Sequence, residues 1–71
     1  MNNNFEILDV VALMENIPKI NLKKGCLGTI VEILNDDNYL VEFIDRNGVT
    51  IAMPSLRTNQ LMKVYEEAVF I

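Results

Sequence analysis

The side chains able to do chemistry are few in this chain and poorly arranged for it. Two carboxylate pairs stand side by side, Asp36-Asp37 and Glu66-Glu67. General acid–base catalysis needs paired groups held in a pocket with separated pKa values, whereas adjacent carboxylates in a turn and in a tail read as solvated surface. Ser55 and the single cysteine, Cys26, are the nucleophiles to consider, and the chain has no histidine to activate either. One cysteine without histidine also leaves no zinc ligand set and no internal disulfide, so Cys26 reads as a small hydrophobe. No catalytic residue, no cofactor-binding residue and no metal ligand is assigned, and an enzyme acting alone is not expected.

The positive charges are Lys19, Lys23, Lys24, Arg46, Arg57 and Lys63, against ten acidic residues and a net charge of −4. Nucleic-acid binding draws on counterion release from phosphates, so an acidic domain starts with long-range repulsion against it. Lys19, Lys23 and Lys24 are the one local basic group, and they would carry such binding if it occurs.

The elements that position these groups are constrained by size. Seventy-one residues make one domain, 1–71, and a domain this small buries only about 60% of its unfolded surface. A hydrophobic fraction of 51% suffices for a thin core and argues against disorder. Charges recur too often for a membrane span of about 20 apolar residues. The start, Met1-Asn2-Asn3-Asn4-Phe5-Glu6, lacks the basic flank and cleavage site of a signal peptide, so a cytoplasmic location is expected. Residues 1–6 are expected to fray.

The organising stretch is residues 25–34, where Gly25 and Gly28 lead into Thr29-Ile30-Val31-Glu32-Ile33. Side chains of this kind fit a pleated, half-buried surface. Strict alternation cannot bury both Ile30 and Ile33, and a bulge near Val31-Glu32 would. Before it, Leu8, Val10, Ala12 and Met14 form the wholly apolar face of a first strand, with Asp9, Val11, Leu13 and Glu15 on the other; a helix is the alternative there. Pro18 sits in a long loop over residues 16–24, whose Ile17, Ile20 and Leu22 are expected to fold over one end of the core. Four turn formers at 35–38 precede a strand with Tyr39, Val41 and Phe43 inward. Asn47-Gly48 then signals a hairpin into Val49-Thr50-Ile51-Ala52-Met53, which Pro54 ends or marks as an edge. Residues 55–59 suit a single 3₁₀ turn leading to a fifth strand over 60–64, and residues 65–71 form an apolar C-terminal tail.

Five short strands with one 3₁₀ turn before the last give an all-β fold, a small five-stranded SH3-like β-barrel. Gly25, Gly28, Ile30 and Ile33 also match the spacing of the KOW element of ribosomal and transcription proteins. More extensively, Leu8-Asp9-Val10-Val11-Ala12-Leu13 with Ile17-Pro18, Leu22-Lys23-Lys24-Gly25 with Gly28-Thr29-Ile30-Val31-Glu32, Val41-Glu42-Phe43-Ile44-Asp45 with Gly48, and Asn59-Gln60-Leu61 resemble the bacterial and cyanobacterial family called domain of unknown function 4926. Pro54, Ser55 and the apolar C-terminus depart from its pattern. The resemblance implies a small barrel and a bacterial origin; it transfers no functional residues.

A barrel has one interior, yet this reading leaves Val11 and Leu13 outside it. With Leu40, Ile44, Ile51, Tyr65, Val69 and Phe70 they form a candidate interface for another protein or a second copy. The function expected is therefore a non-catalytic protein-interaction module, of the antitoxin, immunity-protein or accessory-subunit kind, with no membrane or small-molecule partner evident. A KOW-like nucleic-acid or ribonucleoprotein-binding barrel is the alternative.

Overall fold

The structure, a computed structural model, describes residues 5–65. The strands are β1 (Val10–Leu13), β2 (Leu27–Asn35), β3 (Asn38–Ile44), β4 (Thr50–Ala52), β5 (Ser55–Arg57) and β6 (Leu61–Tyr65), with 3₁₀ turns at Pro18–Ile20 and Thr58–Gln60. All pair antiparallel in the order β4-β3-β2-β1-β6, and β5 also pairs with β3. The all-β expectation stands, but there are six strands where five are expected, and the sheet path ends at β4 and β6 without closing. Val69, Phe70 and most of the expected frayed N-terminus lie outside the described residues.

The extra strand arises at Pro54. β4 and β5 both run along the same partner, β3, with Ala52 opposite Phe43 and Ser55 opposite Leu40. Pro54 lacks an N–H, yet its carbonyl accepts from Val41 N–H at 3.0 Å, so the ladder continues past the proline. Residues 55–57 therefore remain extended, and the 3₁₀ turn expected over 55–59 falls instead at Thr58–Gln60.

That turn forces the sheet to curl. A flat sheet would separate β5 from β6 by four strand spacings, about 19 Å. The chain from Arg57 to Leu61 spans at most about 14 Å. Both edges therefore bend toward each other, and one core receives Val11 and Leu13 from β1, Ile30 from β2, Tyr39, Val41 and Phe43 from β3, Leu56 from β5 and Leu61 from β6.

Two local features of β2 permit this core. The pairings Ile30↔Val41 and Glu32↔Leu40 leave Val31 as an extra residue, and beyond it Ile33 pairs with the inward Tyr39. The bulge thus puts Ile30 and Ile33 on one face, as the apolar pattern requires; Ile30 is fully buried, while Ile33 ends half-exposed at the mouth of the core. Gly28 is buried beneath the aromatic strand, where a Cβ would lie 2.7 Å from Val41 Cγ1 and 2.8 Å from Phe43 Cε1.

The β1–β2 connection folds over the core as its apolar spacing suggests. Ile17 and Leu22 bridge each other, Leu22 is buried, and Ile17 and Ile20 pack on the core beside it. The β3–β4 hairpin closes with Gly48 at φ 81°, while the Asp45 carboxylate accepts from the N–H groups of Asn47 and Val49.

Candidate interaction surface

The faces of β1 are the reverse of those read from its sequence. Val11 and Leu13, expected on an uncovered face, are fully buried in the protein's own core. The reversal has a physical cause. Leu8 lies in a turn at φ 77° and Met14 beyond the strand's end, so only Val10 and Ala12 of the supposed inward face belong to β1. Asp9, which argued for an outward face, is buried with its charge compensated: Oδ2 accepts Glu6 N–H at 2.8 Å and lies 3.3 Å from Lys63 Nζ. Backbone bonds from Leu8 N–H to the Ile30 carbonyl and from Ile30 N–H to that of Asp9 fasten this segment to β2.

With Val11 and Leu13 inward, the alternation of each strand assigns an outer face. Ala12 pairs with Met62 on one side and Leu27 on the other. Extending the Thr29↔Glu42 register by two residues brings Leu27 level with Ile44. A row of apolar residues, Met62, Ala12, Leu27 and Ile44, therefore crosses four strands over about 14 Å. Met62 is 51% exposed, Leu27 54% and Ile44 53%, while the small Ala12 is covered by its neighbours. Ile51, the extra residue where β4 meets β3 at Phe43 and Ile44, is also exposed at the end of this row. Leu40 lies farther along the outer face of β3, half-buried between Glu32 and Ser55. Beyond the row, Thr50 Oγ1 donates to Glu42 Oε2, which marks the polar margin.

Of the residues expected to form an interface, the structure thus keeps Ile44 and Ile51 together, sets Leu40 apart on the same face, and takes Val11 and Leu13 away. Tyr65 closes the last strand opposite Val10. Leu27 and Met62 were not foreseen. The signal for Leu27 was present, since an inward Gly28 and Ile30 require its side chain to point out.

The basic group is dispersed along the β1–β2 connection. Lys19 lies in the first 3₁₀ turn and Lys23 and Lys24 follow Leu22, all exposed. Lys24 N–H donates to Asn16 Oδ1 at 2.8 Å, which holds the two ends of the loop together.

A family model described as Domain of unknown function (DUF4926) matches residues 7–63, which take in every strand described above apart from the last two residues of β6. The chain belongs to this family. No curated protein and no solved structure matches it. The family match spans the outer row, from Ala12 to Met62, and the buried Asp9, so both lie within the family's own domain.

Proposed function

We propose that this domain is a non-catalytic protein-interaction module, and that it binds a partner protein through the outer row of Met62, Ala12, Leu27 and Ile44, extended by Ile51. The observation that carries the reading is three large apolar side chains, each more than half exposed, lined up on one face on β6, β2 and β3, with the buried Ala12 of β1 between Met62 and Leu27. Isolated exposed hydrophobics are ordinary on protein surfaces, but a contiguous row with a polar margin is a docking feature. We read the curled antiparallel sheet as a small SH3-like barrel; the 3₁₀ link before its last strand supports this reading, and a scaffold of this kind would present a rigid outer face. An accessory, antitoxin-like or immunity-like role for one bacterial partner fits an acidic domain of this size.

Binding of this type is dominated by apolar burial and so withstands salt. The test is affinity capture with the full chain and with the Leu27→Asp/Ile44→Asp variant, at low salt and at about 1 M, where the Debye length has fallen to about 3 Å. A stoichiometric protein retained at both and lost with the variant supports the reading; a partner that the variant retains contradicts it.

A further inference from the structure

A cleft of about 550 Å³ lies on the other side of the sheet, at the mouth of the core, lined by Phe5, Glu6, Ile7, Ile33, Asn35, Asp36 and Tyr39. Its volume is that of small-ligand clefts. The floor is aromatic: Phe5 meets Tyr39 edge to face, with ring centroids 5.2 Å apart. Ile7 and Ile33 add apolar walls, and both are half-exposed. The Val31 bulge is what turns Ile33 toward this cleft.

Tyr39 is the informative residue. It is only 4% exposed, and its hydroxyl has no hydrogen-bond partner among the described residues. No buried side-chain oxygen or nitrogen in the described structure lacks a partner, so the unpartnered hydroxyl is not sealed off from open space, and Tyr39 is one of the residues that line the cleft. A polar atom held on a buried ring and left open to a cleft is a ligand contact in waiting. The carboxylates of Glu6 and Asp36 stand at the same cleft without an ion-pair or hydrogen-bond partner among the described residues. Asn35 is held in place, since its Oδ1 accepts from Asp37 N–H and from Asn38 Nδ2.

We propose that this cleft binds a guanidinium or ammonium group carried on an apolar stem. The stem would lie along Phe5, Ile7 and Ile33, and the cation would donate to Glu6, Asp36 and the Tyr39 hydroxyl. Aromatic faces and carboxylates both favour a cation. The net charge of −4 adds long-range attraction. The site stands independently of the outer row, being on the opposite face of the sheet.

The test is a titration of the isotope-labelled full chain, followed by amide chemical shifts, with arginine amide, with its uncharged isostere citrulline amide, and with a short peptide bearing arginine between leucines. Arginine amide is expected to give saturable shifts at residues 5–7 and 33–39. Citrulline amide should bind about tenfold or more weakly, and so should arginine amide to Glu6→Gln/Asp36→Asn, because each loses a charge-assisted hydrogen bond. Tyr39→Phe, which keeps the ring, should weaken binding several-fold with an unchanged melting temperature. A peptide that binds tenfold tighter than arginine amide assigns the cleft to a basic side chain of a protein, and equal affinity assigns it to a small organic cation. Absence of saturable shifts, equal binding of citrulline amide, or full affinity in the double carboxylate variant would overturn the proposal.

Discussion

Gly28 lies so near Val41 that a Cβ at position 28 would sit 2.7 Å from Val41 Cγ1, and Phe43 would meet it at 2.8 Å. Both neighbours are fully buried and belong to the strand that pairs with β2, so neither side chain can swing out to solvent. The Val41 and Phe43 side chains thus lean over Gly28 from the neighbouring strand and fill the place that a side chain there would take. Gly28→Ala should therefore destabilise the fold by about 1–3 kcal/mol, the usual cost of overpacking, read by denaturant unfolding. Gly25→Ala is the contrast. A Cβ there meets nothing within 4 Å, and its cost of about 1 kcal/mol arises from φ +94° alone.

Phe5 anchors the segment that precedes β1. It is buried among core side chains and meets Tyr39 edge to face. Phe5→Ala should cost about 3 kcal/mol in thermal or denaturant unfolding, since it removes a buried ring from a core with few others. A loss under about 1 kcal/mol would mean that the segment contributes little to the folded state.

Asp9 is the buried charge on which the β1 faces depend. Asp9→Ala deprives the Glu6 N–H of its acceptor and Lys63 of this carboxylate, and should cost about 2 kcal/mol. Asp9→Asn keeps an acceptor for Glu6 N–H and should recover part of that loss. Equal stability of the alanine variant and the parent, by urea unfolding, would contradict the role assigned to the carboxylate.

The two faces of the sheet should respond oppositely to charge. Val11→Asp and Leu13→Asp place a carboxylate in the core and should leave no cooperative unfolding transition. Leu27→Asp and Ile44→Asp change side chains that are more than half exposed and should alter stability by no more than about 0.5 kcal/mol. Circular dichroism melts of the four variants separate the groups.

The sequence carried much of this fold in its local chemistry. Asn47-Gly48 marked the second hairpin, the apolar parity around Val31 suggested a bulge there as one way to bury both Ile30 and Ile33, and Ile17, Ile20 and Leu22 within a polar loop pointed to a lid over the core. What escaped was tertiary. The faces of β1 were misjudged because a buried aspartate looks like a surface residue until Glu6 N–H and Lys63 are seen to compensate it. The strand at Ser55–Arg57 was missed because a proline that ends one strand gives no sign that its carbonyl continues the ladder through Val41. Leu27 and Met62 became a surface only once the register placed them on either side of Ala12.

The interaction reading rests on the outer row, and the most direct measurement is capture of the native partner by the full chain against the Leu27→Asp/Ile44→Asp variant, with nuclease and about 1 M salt present. The account predicts one stoichiometric protein held by the parent chain and absent from the variant, whose melting curve matches the parent's. Capture that disappears with nuclease or salt in the parent itself, and that depends on Lys19, Lys23 and Lys24, would contradict it and favour the nucleic-acid alternative.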